Sequence, residues 1–117
     1  MKTHRDLDVW KKAIDFVTKI YLLTKSFPRE EVYGITNQIR RAIVSVPSNI
    51  AEGAARNSSK EFNNFLSFAL GSLSEVETQL IISKNLNYIT KYNFDLNLEE
   101  LITIRKMIIG LKKSLNK

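Results

Sequence analysis

Residues 37–56 read NQIRRAIVSVPSNIAEGAAR, and the spacing of their apolar residues decides the fold. Wound as an α-helix, Ile35, Ile39, Ile43, Val46 and Ile50 fall on one stripe, and Asn37, Arg41, Ser45, Ser48, Glu52 and Arg56 on another. A third row, Arg40, Val44, Pro47, Ala51 and Ala55, is mostly small and leaves room for a second backbone to approach. Pro47 lacks an amide donor and crowds the carbonyl of Ile43, which ordinarily kinks or ends a helix at a cost of about 3 kcal/mol. Two short helices, 35–46 and 48–56, compete with one kinked helix over 35–56. The apolar stripe keeps its phase from Ile43 through Val46 to Ile50, so the kinked helix is the expected form. Ser45, Ser48 and Asn49 stand where their side chains can satisfy backbone groups freed near the proline.

Outward from this stretch, three more helical patterns appear. Val9, Ala13, Phe16, Val17, Ile20 and Leu23 or Thr24 recur at spacings of three and four, with Asp8 as the expected N-cap, Lys25 near the end and a frayed segment before it. Trp10, Ile14 and Tyr21 widen that face, and Phe27-Pro28 terminates the helix. Downstream, Ser58 and Glu61 form a capping box for a third helix, whose main stripe is Phe62, Leu66, Ala69, Leu73, Val76 and Leu80. Phe65, Phe68, Leu70, Ile81 and Ile82 flank it, so the helix is expected to be buried on several sides or against another subunit. Gly71 in its middle predicts a close approach by another helix. Thr90 caps a fourth helix reaching Leu115, with Asn97 and Glu100 as a competing cap; its stripe is Phe94, Leu98, Leu101, Ile102, Ile104 or Arg105, Ile108, Leu111 and Leu115. Short connections make sequential helices antiparallel. The fold class predicted is all-α: a single domain, 1–117, forming an up-down-up-down four-helix bundle with a proline-kinked second helix.

Composition narrows function mainly by exclusion. The 117 residues are 44% hydrophobic and 26% charged, ordinary for a globular domain long enough to bury a core. There is no cysteine, hence no disulfide framework and no thiolate metal site. Lys, Arg, Glu or Asn interrupts every apolar run, so no membrane partner and a cytoplasmic location are expected. The one histidine, His4, lies near the N-terminus, away from any nucleophile or carboxylate pair. Glu30-Glu31 and Glu99-Glu100 are neighbours that point apart on a helix and read as solvated or capping residues. No Glu-x-x-His pair exists for a di-iron bundle, and no glycine loop cradles phosphate. The chain is expected to be no enzyme and to carry no metal or cofactor.

Eighteen Lys and Arg against twelve Asp and Glu give a net charge of +6, a field that attracts polyanions. Arg40, Arg41, Arg56 and Lys60 are the cations that a bend at Pro47 and a corner at Asn57 can gather. Lys112 and Lys113 belong to an acid-free run, Arg105, Lys106, Lys112, Lys113 and Lys117, which equally complements the dipole of a C-terminal helix. Aromatic residues do not interleave with these cations, so binding to RNA or DNA is expected through phosphates, sensitive to salt and indifferent to sequence. Arg40 and Arg41 lie about 100° apart. One is expected in an ion pair between helices or subunits, with Glu75 or Glu52 as its partner, and the other free for an anion. The alternative is a protein-binding scaffold whose charge serves solubility.

The run QIRRAIVSVPSNIAEG of Gln38–Gly53, followed by Arg56 and by the Ser-Lys-Glu-Phe of 59–62, resembles a family of four-helix-bundle proteins. These are encoded in intervening sequences of bacterial 23S ribosomal RNA genes. The likeness extends to Asp8-Val9-Trp10-Lys11 and to the SLSEVE of 72–77, and the family includes the accessory variability proteins of diversity-generating retroelements. The resemblance implies a homopentameric ring with a basic surface and, in the retroelement branch, association with a reverse transcriptase and nucleic acid. Its motif carries over to Arg40, Arg41, Ser45, Pro47, Asn49, Glu52 and Gly53, most of them expected to be structural.

Overall fold

In a computed structural model, which describes residues 3–116, four helices account for most of the chain: α1 (Asp8–Thr24), α2 (Ile35–Ala54), α3 (Ser59–Asn85) and α4 (Lys91–Leu115). Single 3-10 turns at His4–Asp6 and Arg29–Glu31 and short connecting turns make up the rest of the described residues, which contain no strand. The expected all-α, four-helix architecture is therefore observed. Ends that meet show the directions. Arg40, early in α2, reaches Thr24 at the end of α1; Gly53, late in α2, lies against Phe62 and Phe65, early in α3; Lys112, late in α4, reaches Asn63. Neighbouring helices thus run antiparallel around a body of 44 × 24 × 20 Å. Packing is most extensive between α2 and α3 and loosest between α1 and α4.

Helix termini follow the local chemistry. Ser58 and Thr90 accept from the backbone amides of Glu61 and Asn93 at 3.1 Å each, satisfying donors that the first turn leaves free. The rival cap at Asn97 is not used: its Nδ2 donates to the Asn93 carbonyl at 2.8 Å inside α4. Two expectations at the N-terminus are corrected. Asp8 is the first helical residue and not the cap, and the preceding segment is a 3-10 turn capped by Thr3 and set against α1, with the His4 ring 5.0 Å from Trp10. Among the described residues, Asn87 is the only non-glycine residue with a positive φ, 63°, in the turn after α3, a conformation that asparagine tolerates.

Pro47 lies inside one uninterrupted helix, so the two-helix alternative is not observed. Ser45 Oγ donates to the Ala42 carbonyl, Ser48 Oγ to that of Val44, and Asn49 Nδ2 to that of Ser45, at 2.7, 2.8 and 2.8 Å. These side chains serve the carbonyls around Ile43 and not that of Ile43 itself.

The stripes read from the sequence form the core, except that Ile102 of the α4 stripe is exposed. Ile39, Ile43, Val46 and Ile50 of α2 are fully buried with Leu66, Leu73, Val76 and Leu80 of α3, Phe16 and Ile20 of α1, and Leu101, Ile104 and Ile108 of α4. Ile104, not Arg105, takes the disputed inward position. The flanks of α3 are different: Phe68, Ile81 and Ile82 are exposed to solvent. Gly71 also corrects its expectation, because no atom of another helix lies within 4 Å of a Cβ built there. By length and composition alone α3 could cross a membrane, with an 18-residue window of mean hydropathy 1.2. Its most apolar row is the one buried against α2 and α4.

At the opposite end from the α2–α3 corner, the Tyr88 hydroxyl donates to Glu31 Oε2 at 2.7 Å, and its ring lies 5.4 Å from Phe27. Glu31 Oε1 also accepts from the Ile35 amide at 3.4 Å, tying the start of α2 to the same cluster. The hydrogen bond to the carboxylate, aided by desolvation and by the charges of Glu31 and Glu30, holds the phenol above its ordinary pKa of 10.0. A folded-state pKa raised in this way stabilises the protein below the unfolded value, and that contribution disappears as pH rises through the folded one. Tyr88→Phe is therefore expected to flatten the loss of melting temperature above roughly pH 10. Melting curves that fall in parallel for the two proteins would contradict this.

Candidate nucleic-acid interface

The six candidate cations divide between the two ends of the bundle. Arg40 and Arg41 stand near the start of α2, whereas Arg56 follows its end, roughly 22 Å along the axis. They are not gathered on one surface, because nearly the whole length of α2 separates Arg40 and Arg41 from Arg56 and Lys60.

Their local bonding separates them further. Arg40 is held inside the chain: Nε donates to Thr24 Oγ1 at 2.9 Å, Nη2 to the Tyr21 carbonyl at 3.4 Å, and the guanidinium lies 4.6 Å from the Tyr21 ring centre. It is the structural arginine of the pair, fixed by a hydroxyl, a carbonyl and a ring, where the sequence reading expects a carboxylate. Arg41 is exposed, and among the described residues it has no partner. Arg56 bonds Glu52 at 2.8 Å and stacks 4.9 Å from the centre of Phe65. Lys112 gives its ammonium to Asn63 Oδ1 and Ser67 Oγ, both at 2.5 Å, and to the Asn63 carbonyl at 3.2 Å. Lys60 and Lys113 are exposed, with no hydrogen-bond or carboxylate partner among the described residues. Of the neighbouring cations, Arg105 is committed to Glu77 at 2.6 Å, and Lys117 lies outside the described residues.

The assembly motif resolves into distinct roles. Ser45 Oγ meets Ser72 Oγ at 2.5 Å across the α2–α3 seam, which fixes the relative height of the two helices. Gly53 closes the seam at its end, Pro47 and Asn49 lie in α2 as described, and Glu52 pairs with Arg56. Glu75 is exposed on α3, with no carboxylate–cation contact among the described residues.

One charged cluster escapes the sequence reading. Glu100, there taken as solvated or capping, has a largely buried side chain between α1 and α4, 3.7 Å from Lys12 and 3.4 Å from Lys19. It sits in a groove of about 650 Å³ whose walls include Leu22 and Leu96. The seven-residue spacing of Lys12 and Lys19, which puts both on one face of α1, is the signal that points to it. Among the described residues no three potential metal ligands cluster. Nothing in this arrangement pairs a nucleophile with a base.

Residues 5–110 match the family described as 23S rRNA-intervening sequence protein. No curated protein matches the chain. Among solved structures it is similar to a protein of unknown function from the S23 ribosomal protein family of Bacteroides thetaiotaomicron. The two are 26% identical with a TM-score of 0.80, over 90% of this chain and 98% of that one.

Proposed function

The chain belongs to the 23S rRNA-intervening sequence protein family, and from that premise we propose that it is a non-enzymatic, oligomeric bundle that binds RNA or DNA through a basic surface. In this reading a homopentamer presents the surface several times over and serves an RNA-handling enzyme, such as a reverse transcriptase, as its accessory. The observation that carries the proposal is the state of Lys60 and Lys113. Both are exposed and unpaired at the end of the bundle where the start of α3 meets the end of α4, beside Lys112, which Asn63 holds in place. Cations without carboxylate partners can exchange their counterions for phosphates, and the entropy of counterion release drives such binding.

Titration of labelled RNA and DNA against increasing salt tests the reading. Affinity is expected to fall steeply with salt, and combining Lys60→Glu with Lys113→Glu to weaken binding about tenfold or more and to reduce the slope by roughly 2. Arg40→Ala is expected instead to lower the melting temperature and leave the slope unchanged, because Arg40 is occupied within the fold. A folded protein that binds neither nucleic acid at low salt would overturn the proposal. The protein-binding scaffold, favoured by exposed Leu22 and Leu96 at the rim of the α1–α4 groove, would then stand in its place.

A further inference from the structure

We infer that the hollow between the end of α1 and the start of α2 is a binding site for a small organic phosphate of mononucleotide size. The site does not depend on the nucleic-acid reading above, because it lies at the other end of the bundle from Lys60 and Lys113.

The charge of the lining selects an anion. The hollow, of about 370 Å³, is walled in part by three cations, Lys25, Arg29 and Arg40, and by no carboxylate. Lys25 and Arg29 are exposed, with no hydrogen-bond or carboxylate partner among the described residues. Of the two acids that follow Arg29 in sequence, Glu31 is engaged by the Tyr88 hydroxyl and the Ile35 amide, and neither Glu30 nor Glu31 lines the hollow. Three positive charges exceed what one carboxylate balances. They suit a phosphate monoester, which carries close to two negative charges near neutral pH.

Two further groups make a site of the charged patch. Arg40 is already held, Nε by Thr24 and Nη2 by the Tyr21 carbonyl, while its Nη1 has no partner among the described residues. A guanidinium fixed in advance meets a phosphate oxygen with little further loss of side-chain freedom. Thr36, one turn before Arg40 on α2, is 6% exposed, and its Oγ1 is buried without a hydrogen-bond partner. An unpaired buried hydroxyl is destabilising. Thr36 lines the hollow, so a ligand oxygen seated there supplies the missing acceptor. Phe27, Pro28 and Val32 form an apolar wall beside these polar groups. That wall gains nothing from a bare ion, but it removes the face of an attached ring from water. The volume lies within the roughly 300–1,000 Å³ of small-ligand sites, enough for one ring system and its phosphate.

Calorimetric titration of the protein at low salt with adenosine monophosphate, adenosine and inorganic phosphate tests the site. The nucleotide is expected to bind, inorganic phosphate to bind about tenfold more weakly, and adenosine to give no measurable heat. Combining Lys25→Ala with Arg29→Ala, both at exposed positions, should weaken nucleotide binding about tenfold or more at unchanged helix content. Thr36→Val is expected to weaken it about threefold to tenfold and yet to raise the melting temperature of the ligand-free protein, because the orphaned hydroxyl is gone. Thr36→Ser should retain the binding. These opposite signs distinguish a ligand contact from a merely structural threonine. Three results would overturn the inference: a folded protein that binds neither the nucleotide nor phosphate, adenosine bound as tightly as its monophosphate, or nucleotide binding undiminished when Lys25 and Arg29 are both alanine.

Discussion

A single methyl group added at Gly53 is expected to cost the bundle about 2 kcal/mol, although alanine is by itself the better helix former by roughly 1 kcal/mol. The sign is decided by space. A Cβ at this position stands 2.8 Å from Phe65 Cβ, 2.9 Å from Phe62 Cδ1 and 3.3 Å from the Phe62 carbonyl oxygen, well inside the roughly 3.5–4.0 Å of favourable carbon contacts. Phe65 Cβ is bound directly to its backbone and cannot rotate away. The corner between α2 and α3 must open, loosening Phe62, which is 8% exposed. Against a total stability of about 5–15 kcal/mol, the loss should lower the melting temperature by roughly 5–10 °C. Gly110→Ala is the control, because a Cβ there meets nothing within 4 Å. A Gly53→Ala protein that melts at or above the parent would show that the corner has slack.

Leu73→Ala is expected to be more damaging still, by about 3–4 kcal/mol. Leu73 is fully buried midway along α3, among Leu66, Val76 and Leu80, where α2 and α4 close over the helix. Long helices on both sides limit collapse into the space, so the lost transfer free energy and the cavity add. Phe68→Ala, five residues away on the exposed side, should change the stability of the single chain by only about 0.5 kcal/mol. Urea denaturation of both variants at low protein concentration makes the comparison. A loss below about 1 kcal/mol for Leu73→Ala would mean that the core relaxes around the gap.

These two sites show how differently legible the fold was in the sequence. Leu73 could be read directly, because burial follows from a repeat of three and four along the helix, a property of the covalent order. The stripes of α2 and α3, and the caps at Ser58 and Thr90, are local in the same way. Gly53 could be named only through the family motif. Its requirement arises from Phe62 and Phe65, which lie across a corner and not along its own helix. Gly71 gave the opposite lesson, since a glycine inside a helix signals close approach only where a neighbour is present. The candidate site was less legible than the fold. All six cations were visible as residues, but their availability depends on partners distant in sequence: Thr24 for Arg40 and Asn63 for Lys112. Phe65 lies nine residues from the Arg56 that it covers.

The sequence by itself determined four amphipathic helices, most of their boundaries and most of the core, and it favoured the continuity of α2 through Pro47. Each of these depends on hydrophobic spacing and on side chains reaching backbone groups within a turn or two. Only the tertiary structure decided that Arg40 is occupied while Arg41 is free, that Glu100 is held between two lysines, and that Phe68 stands open to solvent. Those outcomes depend on the order in which helices neighbour one another and on the axial register between them. The Ser45–Ser72 bond fixes that register across the α2–α3 seam, between residues that no local pattern relates.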